Sequence, residues 1–365
     1  MKKRICLIGN NNYGLPISDG QRIKVRTYLE ILPKEGFDIC FIELENWKKR
    51  LFSIIFSIKK GIKTCDIVLI MAGPSGCRKI IPLVNFLNRR SKKRVVYSMI
   101  GTGTLSLIIK NKISAQYIEE LFVQKNYKLI KDKMFSKHLK PLNAILTETD
   151  FITEMYRNVY NLDNCFTITN FRLEHPRQTD GKCESEVVKL LYLSRIMEEK
   201  GILDLLQSLK MLTSTNYKLN IYGTLDLNEN NLSLFNNYLR ENVCYCGTVK
   251  PNEVFDVFHQ HDIFVFPTKF PQEGVPGVIV ESLLTGTPVL SSNFGQAKSL
   301  LCNKKDSLIY NMNDVDDLKN KLGSLLVNKD LRVGLAKNAK KSGYEFTYDY
   351  IRKDFLKYLT GEDVL

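Results

Sequence analysis

At 365 residues the chain has room for two domains of ordinary size. An apolar fraction of 44% with a single Trp fits a globular protein and excludes a low-complexity or disordered one. No stretch reaches the ~18 consecutive apolar residues of a membrane span. The net charge of +14 is unevenly placed: residues 1–170 hold 29 Lys+Arg against 14 Asp+Glu, residues 171–365 hold 24 against 25. The two halves therefore meet different partners, and the basic half suits an anionic surface, a phosphorylated substrate or nucleic acid. Nine cysteines include no C-x-x-C pair, and the closest, Cys244-x-Cys246, has no His spacing to complete a zinc site. The basic N-terminus runs into an apolar stretch of only about four residues, too short for a signal sequence. A reducing, cytosolic setting is the expectation.

Residues 4–9 read as a first buried strand. A turn-rich loop follows, with Gly14 and Gly20, and then a helix over 21–35. Strand, Gly-containing loop and helix offer backbone N–H groups to a phosphate. The loop is not G-x-G-x-x-G, which argues against a dinucleotide enzyme. Arg22, Lys24 and Arg26 are candidates to reach that phosphate. Residues 38–44 read as the second strand. Over Trp47–Lys63, Trp47, Leu51, Ile54, Ile55, Ile58 and Ile62 share one helical stripe, while Phe52 and Phe56 fall opposite it among lysines. A core helix needs only the first stripe. Aromatics set among lysines suit a membrane interface, or a basic surface helix with partly covered rings.

Further strands are expected from Asp66, from Arg94 and from Asn143, with a helix over 78–87 and a basic cluster at Arg89–Arg94. Tyr117–Lys140 interleaves lysines with apolar positions. A short strand from Cys165 leads to Asn170-Phe171-Arg172. Residues 173–187 are polar, with Pro and Gly, and read as a linker. Val188 opens a second domain as a strand that runs into Leu193-Ser194-Arg195-Ile196-Met197-Glu198-Glu199-Lys200-Gly201 and then a helix from Ile202. Arg195 supplies a planar fork for phosphate oxygens and Lys200 a mobile point charge. Both leave a strand end, where open α/β sheets bind ligands. The next strand ends at Gly223, and a segment around Cys244 to Pro251 includes Thr248. His259 and His261 precede a strand and read as surface or structural rather than catalytic.

Residues Phe266–Ser292 form one β-loop-α-β unit. Its strand, Ile263–Phe266, stops at Pro267. Its loop carries Glu273 and Gly274, its helix runs over 278–284 with Gly286 at the end, and Thr287-Pro288-Val289-Leu290 begins the next strand. Gly274 and Gly277 let backbone approach a ligand, and the amides at the helix start favour phosphate. Glu273 and Glu281 stand eight residues apart, about 12 Å if all were helical. That suits the two ends of one long ligand better than an acid/base pair of a glycosidase, about 5–9.5 Å apart. Each carboxylate can accept hydrogen bonds from a vicinal diol. Residues 345–359 are amphipathic.

The E-x7-E spacing of Glu273 and Glu281, flanked by Pro267 and Gly286-Thr287-Pro288-Val289, together with R-x4-K-G at Arg195–Gly201, resembles glycosyltransferase family 4, the group 1 glycosyltransferases, in particular bacterial capsule and O-antigen enzymes. The resemblance is strong over 188–292 and loose over 1–170. It implies an α/β chain of GT-B fold, with two Rossmann-like domains whose parallel sheets face a central cleft. Residues 1–172 would bind acceptor, 188–344 would bind donor, and a C-terminal helix at about 345–365 would return to the first domain. The implied reaction is retaining transfer of a sugar from a nucleotide-diphosphate sugar to a lipid-linked or polysaccharide acceptor.

The resemblance further implies that Glu273, Arg195 and Lys200 serve the chemistry. Gly14, Gly20, Gly223, Thr248, Gly274, Val275, Pro276, Gly277, Val278 and Glu281 would line the donor. Neither a metal nor a cofactor is expected. Many members carry a His near the end of the fourth strand; none is present here, and the acceptor-side group is unassigned. A cytoplasmic enzyme, peripheral on an anionic inner membrane face, is the expectation. A nucleotide-sugar epimerase or a phosphorylase of the same fold is an alternative. Nucleic-acid binding by the basic half is another, disfavoured because its aromatics do not alternate with basic residues as a stacking platform.

Overall fold

The computed structural model describes residues 2–11, 20–47, 49–101, 124–125, 133–173, 186–213, 216–270 and 273–363. The chain divides into two units, Met1–Leu173 with Ile351–Leu365, and Glu174–Tyr350. Most of the expected linker, 174–185, lies outside the described residues, as do Gly14 and most of Tyr117–Lys140.

In the first unit the strands are β1 (Arg4–Gly9), β2 (Asp38–Glu43), β3 (Ile67–Met71), β4 (Arg94–Ser98), β5 (Ala144–Thr147) and β6 (Cys165–Thr167). The helices are α1 (Gly20–Lys34), α2 (Leu51–Thr64), α3 (Pro74–Asn88), α4 (Lys133–Leu139) and α5 (Asp150–Tyr160). All six strands are parallel, in the order β2-β1-β3-β4-β5-β6. Apolar runs such as Ile67–Met71 are buried along their whole length, as a sheet covered on both faces requires. Alternate residues serve opposite faces: Cys6 and Ile8 join a core with Ile54, Ile58 and Ile62 of α2 and with Ile80, Ile81 and Val84 of α3.

The expected helix at Trp47 begins four residues later. Asn46 takes a positive φ of 53°, and Glu45, Asn46, Trp47, Lys49 and Arg50 are turn residues rather than helix. Leu51, expected in the buried stripe, is consequently exposed, while Ile54, Ile58 and Ile62 are buried as expected. The third helix is longer than the expected 78–87, because the pattern before Arg78 lacks an apolar stripe to mark it.

The second unit holds β7 (Val188–Leu193), β8 (Tyr217–Tyr222), β9 (Val243–Tyr245), β10 (Ile263–Phe266), β11 (Val289–Ser292) and β12 (Ser307–Tyr310). Its helices are α6 (Ile202–Lys210), α7 (Glu229–Tyr238), α8 (Val254–His259), α9 (Gly277–Leu284), α10 (Ala297–Leu300), α11 (Val315–Val327) and α12 (Lys329–Gly343); α13 (Tyr348–Thr360) then leads back to the first unit. The sheet is again all parallel, in the order β12-β11-β10-β7-β8-β9. The chain builds outward from β7 to β9, then returns to lay β10 on the other side of β7. That reversal is the topological switch point of a Rossmann-type sheet, and crevices at such points open at the carboxyl ends of the strands.

Two glycines let the strand-end loops close. Gly201 has φ +71°, and a Cβ there would lie 1.9 Å from the Pro267 carbonyl oxygen. Gly223 has φ +147°, and a Cβ there would lie 1.8 Å from the Ser194 oxygen. No side chain fits either place.

The C-terminal helix is held on the first unit by specific contacts. Phe355, fully buried, meets Tyr28 edge-on at 5.1 Å and Phe171 at 6.0 Å. Tyr358 stacks on Phe166 at 4.0 Å. Arg352 reaches both carboxylate oxygens of Glu35, at 2.8 and 2.7 Å. Arg94 donates to the carbonyls of Tyr358 and Leu359 at 2.8 and 2.9 Å, placing a cation on the negative end of the helix.

Two predictions follow from these contacts. Phe355→Ala removes a fully buried ring and is expected to cost about 3–5 kcal/mol of stability in urea denaturation. Gly201→Ala and Gly223→Ala are expected to cost at least about 2 kcal/mol each. Gly247→Ala, at φ +78° in open space, is the control and should lose only about 1–2 kcal/mol of backbone strain. Equal losses at all three would mean that close approach is not what demands glycine at 201 and 223.

Candidate active site at the switch point of the second unit

Two loops meet beyond the carboxyl ends of β7 and β10. The first, Ser194–Gly201, leaves β7 and includes a single turn of 3-10 helix over Glu198–Lys200. The second runs from Pro267 to Pro276 and ends at α9. They join through backbone: the Lys269 amide donates to the Glu199 carbonyl at 2.8 Å, and Gly201 lies against Pro267. Lys269 also pairs through its ammonium with Asp204 of α6 at 3.0 Å.

This seam carries a charged pair. The Lys200 ammonium donates to Glu273 Oε2 across 73 residues of sequence, and both side chains are mostly shielded from solvent, at 14% and 12% exposure. Thr268 Oγ1 donates to the same carboxylate oxygen at 3.0 Å. The ammonium also lies 4.7 Å from the ring centre of Phe270 and 5.9 Å from that of Phe266. Two aromatic faces, a hydroxyl and a carboxylate therefore fix one cation. Beneath it, the buried Tyr192 hydroxyl donates to the carbonyls of Arg195 and Lys200 at 3.3 and 3.4 Å. Burial pushes that phenol well above its ordinary pKa, and the nearby Glu273 charge adds to the effect, so it stays a neutral donor.

The sequence-predicted residues divide into those brought together and those placed elsewhere. Lys200 and Glu273 are in contact. The Arg195 guanidinium is half-exposed and turned to Asp226, at 3.7 Å. Glu281 lies on the second turn of α9 and is nearly buried. Only Gly277–Leu284 is helical, so the straight eight-residue rise between the two glutamates does not apply. Gly274 is in the loop, Val275 packs in the core with Phe266 and Val280, and the Pro276 carbonyl accepts the first helical amide, from Ile279 at 3.0 Å. The amides of Gly277 and Val278 open the helix, ahead of its own hydrogen-bonded ladder.

Gly223 has internal partners for both backbone groups. Its amide donates to the Gly247 carbonyl at 2.8 Å, and its carbonyl accepts from Tyr245 Oη at 3.0 Å. The close approach to Ser194 is thus a packing reason for this glycine. Thr248 follows, exposed.

In the first unit Gly20 opens α1, while Gly14 lies outside the described residues. Lys24, expected to reach outward for phosphate, is instead 3% exposed. Its ammonium donates to Glu148 Oε1 and to the Met99 carbonyl, both at 2.7 Å. Arg26 is held by Asn11, at 2.8 Å to the side-chain oxygen, and Arg22 is 3.9 Å from Glu45. His261 is buried between Asn220 and the Val257 carbonyl, at 2.9 and 2.6 Å, a structural role as expected.

Sequence reading missed Thr268, Phe270 and Lys269. Their signal was present only as proximity to Glu273 in the chain, since the partner Lys200 lies in another motif. Among the described residues no group of three or more His, Cys, Asp or Glu is disposed to hold a metal.

Solved structures share this architecture. Sucrose-phosphate synthase from Thermosynechococcus elongatus superposes with a TM-score of 0.71 at 14% identity, covering 98% of each chain. Anabaena HepE, solved in complex with UDP, gives 0.71 at 13% identity, covering 99% of this chain and 100% of that one. These neighbours establish the GT-B fold. Among curated proteins, the capsular polysaccharide biosynthesis glycosyltransferase CapM of Staphylococcus aureus is 27% identical over 172 residues, 44% of each chain. The N,N'-diacetylbacillosaminyl-diphospho-undecaprenol alpha-1,3-N-acetylgalactosaminyltransferase of Campylobacter jejuni is 28% identical over 170 residues, 46% of this chain and 43% of that one. The chain thus spans less than half the length of these relatives. The family described as Glycosyl transferases group 1 matches residues 180–342. That match falls within the second unit, which carries the Lys200–Glu273 pair at its switch point and is similar to a group 1 glycosyl transferase.

Proposed function

We propose that the protein is a retaining glycosyltransferase that moves a sugar from a nucleotide-diphosphate sugar to a lipid-linked or polysaccharide acceptor in cell-surface glycan synthesis. The observation that carries this reading is the Lys200–Glu273 pair, which joins the R-x4-K-G and E-x7-E motifs at the switch point. The relatives named for capsular polysaccharide and for a diphospho-undecaprenol substrate support the pathway class and the acceptor class. The neighbour solved with UDP supports a nucleotide at this fold position.

In this reading the diphosphate lies against the start of α9 and the loop after β7. Lys200 has three N–H donors, so it can hold a phosphate oxygen while keeping Glu273. Arg195, half-exposed and only loosely paired, can turn its fork from Asp226 to the phosphates. Negative charge grows on the diphosphate as the bond to the sugar breaks. The two cations and the amides of Val275, Gly277 and Val278 stabilise that growth more than they stabilise the bound donor, which lowers the barrier. Glu273, oriented by Thr268 and Lys200, accepts hydrogen bonds from donor-sugar hydroxyls. Glu281, one helical turn further from the phosphate, takes the ribose diol. Gly223 and Thr248 complete the nucleotide's surroundings within the second unit, with the two cations in place of a metal ion. The acceptor binds the first unit at the membrane face.

A thermal-shift panel of nucleoside diphosphates and nucleotide sugars tests the reading. One base should stabilise the protein, by about 2.7 kcal/mol at a hundredfold excess over the dissociation constant. The shift should be lost in Lys200→Ala and in Glu281→Ala. No shift with any nucleotide would overturn the reading. With the donor identified, Lys200→Ala is expected to lower kcat by about 10²–10³ in sugar transfer, the usual loss on removing one charge-stabilising group.

A further inference from the structure

The second and third helices of the first unit present an outward face that the sugar-transfer reading does not use. In α2, at about 100° per residue, Ile54, Ile58 and Ile62 point to the core. On the opposite arc, about 100° wide, lie Phe52, Phe56, Lys59, Lys60 and Lys63. Phe52 is 88% exposed and Phe56 70%. All three lysines are exposed. On α3 the core-facing residues are Cys77, Ile80, Ile81 and Val84, and Phe86 stands opposite them, 61% exposed with Arg89 above its ring at 5.4 Å. The two helices cover the same side of the sheet and share one core. Their outer surfaces therefore form one face.

The charge of this face is one-sided. From Leu51 to Arg90, the span of the two helices, the sequence holds seven Lys+Arg and one acidic residue, Asp66. Asp66 is engaged at the amino end of the sheet, where it accepts from the Arg4 amide at 2.8 Å. Neither helix contains a carboxylate. A large ring left in water is costly, and two at i and i+4 beside three lysines make a pattern that suits an interface between apolar and anionic layers.

We infer that this face docks on an anionic lipid bilayer, with Phe52 and Phe56 entering the boundary between headgroups and acyl chains while Lys59, Lys60 and Lys63 lie among the phosphates. Three observations favour a bilayer over other occupants. The rings project from the outer arc of a helix, and a fluid layer admits protruding rings without a shaped pocket, whereas a protein partner needs complementary packing. A second copy of the same face would bring like charges together. No helix among the described residues is long and apolar enough to cross a membrane, so attachment through this face is interfacial. The inference deepens the lipid-linked acceptor reading above, which supplies its purpose, but its test does not pass through donor binding or sugar transfer.

The test is co-sedimentation of the whole chain with vesicles of phosphatidylglycerol and phosphatidylcholine, and with phosphatidylcholine alone, at low and high salt. The wild type should pellet with the anionic vesicles at low salt and stay in solution with the neutral ones. The double substitution Phe52→Ser with Phe56→Ser should weaken partition on the order of tenfold, and what remains should vanish at high salt. The triple substitution Lys59→Glu, Lys60→Glu and Lys63→Glu should weaken it by roughly a hundredfold or more. These side chains are exposed, so melting temperature and nucleotide-induced shifts should match the wild type, which separates failure of this inference from failure of the donor-site reading. The inference is overturned if the wild type stays in solution with anionic vesicles, or if the phenylalanine variant pellets as the wild type does. It is equally overturned if the same five residues matter more for binding a single-stranded oligonucleotide than for binding vesicles.

Discussion

The carbonyl oxygen of Pro267 occupies the place where a side chain on Gly201 would have to be. That contact sets how the loops leaving β7 and β10 meet. Because Gly201 can adopt a positive φ and come that close, Lys200 is delivered beside Glu273 and the Lys269 amide reaches the Glu199 carbonyl. The two signature motifs are distant in sequence and adjacent in space for this reason. A Cβ at 201 would push the loops apart and take the charged pair with it.

The site is a balance between order and availability. A partly shielded Lys–Glu pair gains from its hydroxyl and aromatic neighbours, and loses from desolvation, so it is better understood as positioning than as stabilising. Lys200 is held on several sides, whereas Arg195 is half-exposed, 3.7 Å from the Asp226 carboxylate. In the sugar transfer proposed above, preorganisation of Lys200 would reduce the reorganisation needed when charge develops on the leaving group.

Charge is used differently in the two units. In the second, the charges that matter are paired at the strand ends. In the first, much of the excess lies on helix exteriors, while Lys24 is drawn inside to Glu148 and the Met99 carbonyl, near the carboxyl ends of β4 and β5. Removing either member of such a buried pair leaves the other uncompensated, which is why a lysine amid a basic helix can be structural. The lysines beside Phe52 and Phe56 are exposed and, among the described residues, have no such internal partner.

The strands were legible in the sequence because buried parallel strands are continuous apolar runs bounded by Gly, Pro or Asp, as in Ile67–Met71 and Ile263–Phe266. The motif residues were legible because their spacing is local: Arg195 to Gly201 in one loop, Glu273 to Glu281 in another. The alternation of strand and helix pointed to parallel α/β units, and the division into two Rossmann-like domains followed from the family resemblance. Helix limits were less so, since Asn46 can take a left-handed turn that the stripe through Trp47 does not reveal. The strand order, and with it the switch point, belongs to the tertiary structure. So do the partners of Lys200, the inward turn of Lys24 and the packing demand on Gly201 and Gly223. Each depends on groups tens of residues apart being brought within a few ångströms, and periodicity within one segment carries no information about what lies across from it.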